Sequence, residues 1–314
     1  MERAHQAGCA RRSDHLIAVL LGPNGQLGTD IQASNIATGS PLQINPVART
    51  EIDLEDIERA TRILREMPFD AVVNCSSYHK TDEVENNAQI AFTINAHLVQ
   101  RLAEICAERK ARFVHISTDY VFGGQTKREP LSETDAKAPL NVYGASKSMG
   151  EDLALQAGGD ILILRVASLF GVAGASGKGG NFVETMIRLG RERKELKVVA
   201  DQFMSPTATA DIAAALLKLL HNGAGAGIYH IVNSGAASWY EFARRIIEVA
   251  GVDARIIPVT SAEFPTRAKR PRYCVLSNAK IAGAIGPMRS WEDALDTYLL
   301  AKGHRSVAKT SVRS

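Results

Sequence analysis

Short apolar runs alternate with longer segments of helical periodicity in the first half of the chain. Runs of strand length cover residues 16–21, 71–74, 113–117 and 161–164. Between the second and third runs, an apolar side chain recurs every three or four residues from 90 to 105, a spacing that predicts a helix. Alternating strands and helices predict a parallel sheet that is covered by helices on both faces.

The pattern changes near residue 171. Residues 171–180 contain five glycines, and we interpret this segment as a mobile flap beside the substrate. Further along, the pattern predicts strands at 198–199 and 228–232 and helices at 208–220, 239–250 and 291–300. The chain therefore divides into a disordered extension (1–14), a first domain (15–170), a smaller mixed lobe (171–303) from which some segments return to the first domain, and a flexible tail (304–314).

A glycine-rich loop follows the first apolar run directly. The sequence there is G-x-x-G-x-x-G, and residues 29–35 after it are compatible with a helix. Strand, glycine turn and helix form the context of a dinucleotide site, because glycine lets the backbone approach a pyrophosphate and the helix N-terminus offers free N–H groups. A glycine turn without a ligand is the alternative. The loop predicted to bind a cofactor comprises Gly22, Asn24, Gly25, Gln26, Leu27 and Gly28.

The end of the next predicted strand, at 42–47, bears on which dinucleotide is bound. A site for NAD(H) usually has an acidic residue there, which bonds the ribose 2′-hydroxyl. This chain has no acidic residue between Asp30 and Glu51, but it has Arg49. Because an arginine suits a 2′-phosphate, the sequence favours NADP(H), with NAD(H) as the second choice. A solvated surface arginine is the other interpretation of Arg49.

A tyrosine and a lysine are placed to act together. Tyr143 and Lys147 are four residues apart, which puts both side chains on one face of a helix. An ammonium beside a phenol favours the phenolate, so we expect Lys147 to lower the pKa of Tyr143. Upstream, Thr118 follows an apolar run, and hydroxyls at the carboxyl end of a strand lie where α/β proteins bind ligands. The Tyr-x-x-x-Lys pattern is common by chance, so its weight comes from Thr118 and the glycine loop.

Composition narrows the class of protein. The chain has 314 residues, 45% hydrophobic and 23% charged, with a net charge of +3, which is ordinary for a soluble globular protein and argues for no nucleic-acid partner. No apolar stretch reaches the ~18 residues of a membrane span. The four cysteines are far apart, so we expect free thiols in a cytoplasmic protein. The histidines lack metal-ligand spacing, so we expect no histidine-based metal site.

A secretory signal is an alternative interpretation of the N-terminus. Arg11 and Arg12 precede the first apolar run, as a positively charged region precedes the apolar part of a signal. The run is short, however, and it continues into the glycine loop. We therefore prefer the first strand of the sheet as its interpretation.

The order and spacing of the glycine loop and of residues 117–122 and 143–151 resemble the extended short-chain dehydrogenases/reductases. Within them, segments 201–207 and 270–276 are similar to the dTDP-4-dehydrorhamnose reductase family, and the resemblance extends from about 17 to 300. It implies an α/β fold, with a Rossmann-type doubly wound parallel sheet and a smaller mixed α/β substrate-binding lobe. The implied reaction reduces dTDP-4-dehydro-6-deoxy-L-mannose to dTDP-L-rhamnose with NAD(P)H, for the synthesis of cell-surface polysaccharide.

The resemblance also implies roles for individual residues. Tyr143 would be the proton donor, Lys147 would tune it and bind the nicotinamide ribose, and Thr118 would orient the substrate oxygen. The other implied cofactor contacts are Gly25, Gln26 and Leu27 at the pyrophosphate, Asp53 and Leu54 beside the adenine, and Ser76, Ser77 and Tyr78 beside the ribose. Thr118 and Asp119 would face the sugar. For the diphosphate we choose Asn181 and Arg270, because arginine suits bidentate phosphate binding.

Two departures from the family's pattern lie on the substrate side. The family often has a tryptophan where this chain has Ser168, and it usually has Asn-Ser after the Arg-Pro pair, where this chain has Arg272-Tyr273-Cys274. Both departures leave the reductase chemistry intact, but they leave the sugar open. Dimers, sometimes with a magnesium ion, occur in the family, and no local motif decides whether this chain forms a homodimer.

Two other classes of function are weighed against the reductase. Some proteins that resemble this family are NADP-binding regulatory subunits of another enzyme, and such a chain can lose the catalytic residues. This one retains Thr118, Tyr143 and Lys147 together. An epimerase or dehydratase is the third hypothesis. Dehydratases commonly have Asp-Glu after the Ser-Thr hydroxyls, whereas Tyr120 follows Asp119 here, which disfavours that class.

Overall fold

The computed structural model describes residues 16–40, 42–174 and 180–305. The strands are β1 (Ile17–Leu21), β2 (Gln43–Val47), β3 (Ala71–Asn74), β4 (Arg112–Thr118), β5 (Ile161–Val166), β6 (Leu169–Phe170), β7 (Glu195–Val199), β8 (Phe203–Met204), β9 (Thr207–Ala208), β10 (Gly227–His230), β11 (Ala237–Ser238) and β12 (Arg255–Val259). The helices are α1 (Gln26–Ala37), α2 (Ile57–Glu66), α3 (Thr81–Val84), α4 (Ala88–Phe92), α5 (Leu98–Glu108), α6 (Val142–Ala157), α7 (Phe182–Glu192), α8 (Thr209–His221), α9 (Trp239–Val249), α10 (Ala279–Ile285) and α11 (Trp291–Ala301). The predicted extension at 1–14, the centre of the predicted flap at 175–179 and the predicted tail beyond 305 lie outside the described residues.

A six-stranded parallel sheet forms the first layer of the fold, in the order β10-β5-β4-β3-β1-β2. Successive side chains of a strand point to opposite faces. In β1, Ala18 and Leu20 therefore pack with α1 and α8, whereas Val19 and Leu21 pack with α2 and α5. Both faces are buried beneath helices, which confirms the prediction of a Rossmann-type doubly wound sheet.

Part of the second half of the chain belongs to this sheet. β10 pairs in parallel with β5, and α8 covers the same face of the sheet as α1. The sequence interpretation assigned most of 171–303 to a separate lobe while allowing some segments to return. The returning segments are α8, β10 and α10, because their apolar side chains, such as Ile212, Tyr229 and Ile281, complete the core on one face of the sheet.

The remaining elements build a smaller mixed α/β lobe. β7 pairs in parallel with β12, β8 pairs antiparallel with β11, and β6 pairs in parallel with β9. Helices α7, α9 and α11 pack together around Phe170, Phe242 and Trp291. No helix in the described part of the chain is both long and apolar enough to cross a membrane.

The topology leaves a crevice at the carboxyl edge of the sheet. β1 and β3 are neighbours from which the chain winds in opposite directions, and doubly wound sheets bind ligands at such a switch point. Gly22 follows β1 with a φ of 77°, and a Cβ there would lie 3.1 Å from the carbonyl carbon of Cys75, which follows β3. Glycine therefore lets the two loops meet at the floor of the crevice.

Candidate active site

A cavity of about 530 Å³ lies between the sheet's carboxyl edge and the second lobe. The sequence-predicted residues that line it are Gly22, Gly25, Gln26, Leu27, Gly28, Ser77, Thr118, Asp119, Tyr143, Lys147, Asn181 and Arg270. They come from both halves of the chain. The fold therefore brings the candidate cofactor loop, the candidate proton donor and the candidate substrate residues to one place.

The other predicted cofactor residues lie outside the wall of this cavity, namely Asn24, Arg49, Asp53, Leu54, Ser76 and Tyr78. The Arg49 side chain is 82% exposed, and its guanidinium lies 3.6 Å from the Glu55 carboxylate. Asp53 accepts a hydrogen bond from the backbone N–H of Glu55. Arg49 thus lies on the surface beside Glu55, and its contact with a 2′-phosphate stays a prediction.

The glycine loop is shaped to hold a pyrophosphate. A Cβ on Gly28 would lie 2.2 Å from the Gly22 carbonyl oxygen and 2.8 Å from the Cα of Pro23, so no side chain fits there. Gly25 is the N-cap of α1, without a side-chain cap, and the first turn of the helix has no acidic residue. The first N–H groups of a helix lack intrahelical partners and lie at the positive end of its dipole. These residues fit an anionic dinucleotide.

Tyr143 reaches the end of β4 because α6 begins against it. Asn141 caps α6 by accepting a hydrogen bond from the Gly144 N–H at 2.8 Å, and it donates to the Lys269 carbonyl at 2.8 Å. A Cβ on Gly144 would lie 2.1 Å from the Tyr120 carbonyl oxygen. This close packing places the Tyr143 phenol in the same cavity wall as the Thr118 and Ser77 hydroxyls, and both of them act to lower its pKa.

The pKa of Tyr143 is higher than its ordinary value, whereas the sequence analysis predicted a lower one. Burial raises it to about 12, although hydrogen bonding to Thr118 opposes the rise. The Lys147 ammonium donates to the Ile116 carbonyl at 2.6 Å and lies 2.9 Å from Nε2 of His115. Burial therefore outweighs the lowering that we expected from Lys147, and the Tyr143 pKa lies above its ordinary value. The phenol keeps its proton at neutral pH, which suits a proton donor.

Burial also lowers the pKa of Lys147, to about 7, although the charge of Glu151 opposes the change. Sequence reasoning missed the partner that holds this amine. His115 is fully buried in β4, and its Nδ1 lies 3.2 Å from the Asn74 side-chain amide. Burial, followed by the charge of Lys147, lowers the pKa of His115 well below its ordinary value, so this ring is neutral. A histidine inside an apolar run was the available signal.

Asn95 is a second residue that sequence reasoning missed. The predicted long helix consists of α4 and α5 joined by a π-helical turn, Thr93–His97, and such turns are frequent at functional sites. From this turn, Asn95 accepts from the Tyr78 N–H at 2.9 Å and the Ser77 hydroxyl at 3.1 Å, and it donates to the Ser146 hydroxyl at 3.1 Å. Asn95 therefore fixes the loop after β3 against α6. The sequence feature that could have identified Asn95 is a side-chain amide among the apolar positions of the predicted helix.

The two residues chosen for the diphosphate differ in how many of their hydrogen-bonding groups already have partners. Asn181 caps α7 by accepting from the Glu184 N–H at 3.1 Å, and it donates to the Gly171 carbonyl and to the Tyr298 hydroxyl, each at 3.1 Å. Its amide is already engaged on both sides. Arg270 donates to the Asp82 carboxylate at 2.5 Å, and its guanidinium also lies 3.4 Å from the Tyr120 hydroxyl. Arg270 faces the cavity with further donors free to bind an anion.

An apolar extension adjoins the main cavity. This second cavity, of about 380 Å³, shares Tyr120, Phe182, Trp239 and Arg270 with the first. The rings of Phe182 and Trp239 lie 4.6 Å apart. Ser168, one of the two departures from the family's pattern, lines the main cavity with a φ of 45°, which is uncommon for a residue other than glycine. That departure therefore does lie at the site.

Comparisons with known proteins agree with this geometry. A family model described as the RmlD substrate binding domain matches residues 17–302. The dTDP-4-dehydrorhamnose reductase of Burkholderia thailandensis is 38% identical over 284 residues, which cover 85% of this chain and 92% of that protein. The reductase of the same name from Mycobacterium tuberculosis (strain H37Rv) is 38% identical over 297 residues, which cover 93% of this chain and 94% of that protein.

A solved structure extends the likeness to the whole fold. The crystal structure of dTDP-4-dehydrorhamnose reductase from Bacillus anthracis in complex with NADP is similar, with a TM-score of 0.84 and 34% identity. The similarity covers 91% of this chain and 99% of that one. With its glycine loop, its Tyr143 and Thr118 pair and its second lobe around one cavity, this chain belongs to the dTDP-4-dehydrorhamnose reductase family.

Proposed function

We propose that this chain reduces the C4 ketone of dTDP-4-dehydro-6-deoxy-L-mannose to the alcohol, which gives dTDP-L-rhamnose, with NADPH as the preferred cofactor. The observation that supports this most directly is the single cavity in which Tyr143, Thr118 and Lys147 meet the glycine loop. A hydride source and a proton donor are both required to reduce a ketone. We infer the substrate from the relatives, which are dTDP-4-dehydrorhamnose reductases, and the cavity contains the groups that this reaction needs.

Tyr143 is the proton donor in this proposal. When bound, NADPH supplies a hydride to C4, and the carbonyl oxygen becomes an alkoxide unless it receives a proton. The phenol of Tyr143 has a pKa of about 12, and an alkoxide is the stronger base, so the proton passes from phenol to oxygen. Thr118 lines the same cavity as this phenol and orients the substrate oxygen. Lys147 contributes a positive charge when it is protonated, which stabilises the phenolate that forms.

The nucleotide part of the substrate fits the apolar extension. In this proposal, the thymine packs against the aromatic pair Phe182 and Trp239, and its diphosphate pairs with Arg270. Asn181 contributes indirectly, since its cap holds the start of α7, which carries Phe182. Apolar and charged parts of the extension thus correspond to the base and the diphosphate.

Three further parts of the proposal concern the 2′-phosphate of the cofactor, the cellular location and the oligomeric state. Arg49, whose exposed side chain lies beside Glu55, pairs with the 2′-phosphate of NADPH in this proposal. A cytoplasmic location is supported by the free thiols of Cys75, Cys106 and Cys274. A homodimer is proposed on the family resemblance alone.

The experiment is NADPH and NADH oxidation measured over a panel of dTDP-4-keto sugars. We expect turnover of dTDP-4-dehydro-6-deoxy-L-mannose, with a lower KM for NADPH than for NADH. Tyr143→Phe should lower kcat by about 10²–10⁴-fold, the usual contribution of a general acid, while NADPH still binds. Tyr229→Phe is the matched control, because this buried tyrosine bonds the Gly225 carbonyl away from the site. No oxidation with any dTDP-keto sugar would refute the function, and an unchanged kcat in Tyr143→Phe would refute the role of the tyrosine.

A further inference from the structure

A buried thiol lies behind the reacting hydroxyls. Cys274, within the second departure from the family's pattern, is 3% exposed, and its Sγ lies 2.9 Å from Oδ2 of Asp119. Burial raises the pKa of this thiol well above its ordinary value, and the Asp119 charge raises it further. The thiol is therefore protonated at neutral pH and donates its hydrogen to the carboxylate.

Asp119 is shared between this thiol and Thr118. Its other oxygen, Oδ1, accepts from the Thr118 hydroxyl at 3.0 Å, and the residue is 3% exposed. The Thr118 oxygen in turn accepts from the Tyr120 N–H at 3.2 Å. A hydroxyl has a single proton, so while Thr118 donates to Asp119 it has none for any other acceptor.

A ketone can only accept hydrogen bonds. For Thr118 to orient the substrate oxygen by donation, its proton must leave Asp119. That move would deprive a buried carboxylate of a donor, which is costly unless other donors remain. The donors that remain are the Asp119 backbone N–H, the Cys274 thiol and the Tyr120 N–H, which is shared with the Thr118 oxygen.

We propose that Cys274 is a positioning residue, whose thiol keeps the Asp119 carboxylate hydrogen-bonded while the Thr118 hydroxyl turns to the substrate oxygen. The inference rests on the proposed ketone reduction. Cys274 is not among the residues that line the cavity. It acts through Asp119, and its backbone N–H holds it in place by donating to the Phe203 carbonyl at 3.0 Å.

The groups around Asp119 define what else affects its titration. Tyr143 on α6 and Tyr120 on the short turn after β4 both face its charge, as does Cys274. Arg270 reaches this cluster through the Tyr120 hydroxyl. Burial raises the pKa of Asp119 to about 6, and the hydrogen bond from Cys274 is the first of those that oppose the rise. Loss of that bond should therefore raise the pKa further.

The test compares Cys274→Ala with Cys274→Ser, which restores a donor of similar size. We expect Cys274→Ala to lower kcat for the dTDP-4-keto sugar about five- to tenfold, the effect of one weak hydrogen bond, with KM for NADPH unchanged. Cys274→Ser should retain kcat within about twofold. Cys106→Ala is the matched control, since it removes an equally buried thiol from an apolar cluster of the sheet and should leave kcat unchanged.

A second readout needs no turnover. The infrared band of the protonated Asp119 carboxyl, identified by its loss in Asp119→Asn, should titrate at higher pH in Cys274→Ala than in the wild type, by about one unit. It should be nearly unmoved in Cys274→Ser. An unchanged kcat in Cys274→Ala, or the same loss of kcat in Cys274→Ser, would overturn the inference. If the wild type oxidises no NADPH with any keto sugar, the proposed function fails instead, and a folded protein would still show the carboxyl titration.

Discussion

Glu151→Gln should be among the more destabilising single substitutions in this chain. Glu151 on α6 and Arg165 on β5 form a buried ion pair, with side chains 0% and 2% exposed and two hydrogen bonds of 2.9 and 2.8 Å. Ser117 donates to the same carboxylate at 2.5 Å. A glutamine keeps one acceptor but turns an N–H group towards the guanidinium or the serine, so the Arg165 charge stays buried without its counter-charge.

The expected loss is set by that uncompensated charge. Removing one partner of a buried pair costs about 3–5 kcal/mol of unfolding free energy. In a domain of roughly 200 residues, each kcal/mol lowers Tm by about 2–4 °C, so we expect a decrease of about 6–20 °C. Glu192→Gln is the matched control. It breaks the Arg188–Glu192 pair, whose side chains are 61% and 50% exposed, and such pairs contribute about 0–1 kcal/mol.

The pH dependence follows from the same contacts. Burial alone would raise the pKa of Glu151, but the hydrogen bonds and charge of Arg165, with Ser117 and Lys137, lower it below its ordinary value of 4.5. A carboxyl whose pKa is lower in the folded state stabilises the fold above its unfolded pKa, and this stability is lost as the pH falls through the folded pKa. The difference in unfolding free energy between wild type and Glu151→Gln should therefore be full above pH ~5 and shrink in more acidic solution.

Urea unfolding at several pH values, followed by circular dichroism, measures both effects. A loss below about 1 kcal/mol at neutral pH, no larger than that of Glu192→Gln, would refute the reasoning about the buried pair. A difference that grows as the solution becomes more acidic would refute the assigned sign.

Three further predictions concern ligand binding. Gly28→Ala should weaken NADPH binding about ten- to hundredfold by calorimetry, because a Cβ 2.2 Å from a carbonyl oxygen must displace the loop. Gly225→Ala, where the added Cβ would lie in open space, should leave the Kd of NADPH unchanged. Equal Kd values for the two variants would contradict this reasoning. The Kd of NADPH should rise as the pH increases through about 7, because Lys147 loses its charge there. Lys147→Met should flatten this pH dependence, and an unaltered profile in the variant would exclude Lys147 as its source. Arg270→Ala should raise KM for the dTDP sugar about ten- to hundredfold and leave KM for NADPH unchanged. Equal changes in the two KM values would remove Arg270 from the nucleotide site.

Much of the fold could be predicted because its signals are local. The strand runs, the glycine loop and the helix that carries Tyr143 and Lys147 each occupy a short stretch whose periodicity reflects its own burial. The parallel sheet then follows from alternation of strands and helices. The location of the candidate site could also be predicted, because hydroxyls at the end of β4 and glycines at the end of β1 must lie at the same edge of a parallel sheet.

Periodicity says which residues are buried, but not which distant residue each one meets. The sequence alone determined the strand–loop–helix unit for a dinucleotide, the Tyr143–Lys147 spacing on one helix and the hydroxyl of Thr118 at a strand end. Only the tertiary structure decided that Lys147 turns to His115, that Arg270 pairs with Asp82 across 188 positions, and that Cys274 supports Asp119. It also decided the pKa of Tyr143, because the burial that raises it comes from packing of α6 on the end of β4. Partners and pKa values are properties of close packing between segments far apart in the chain, and no local pattern encodes them.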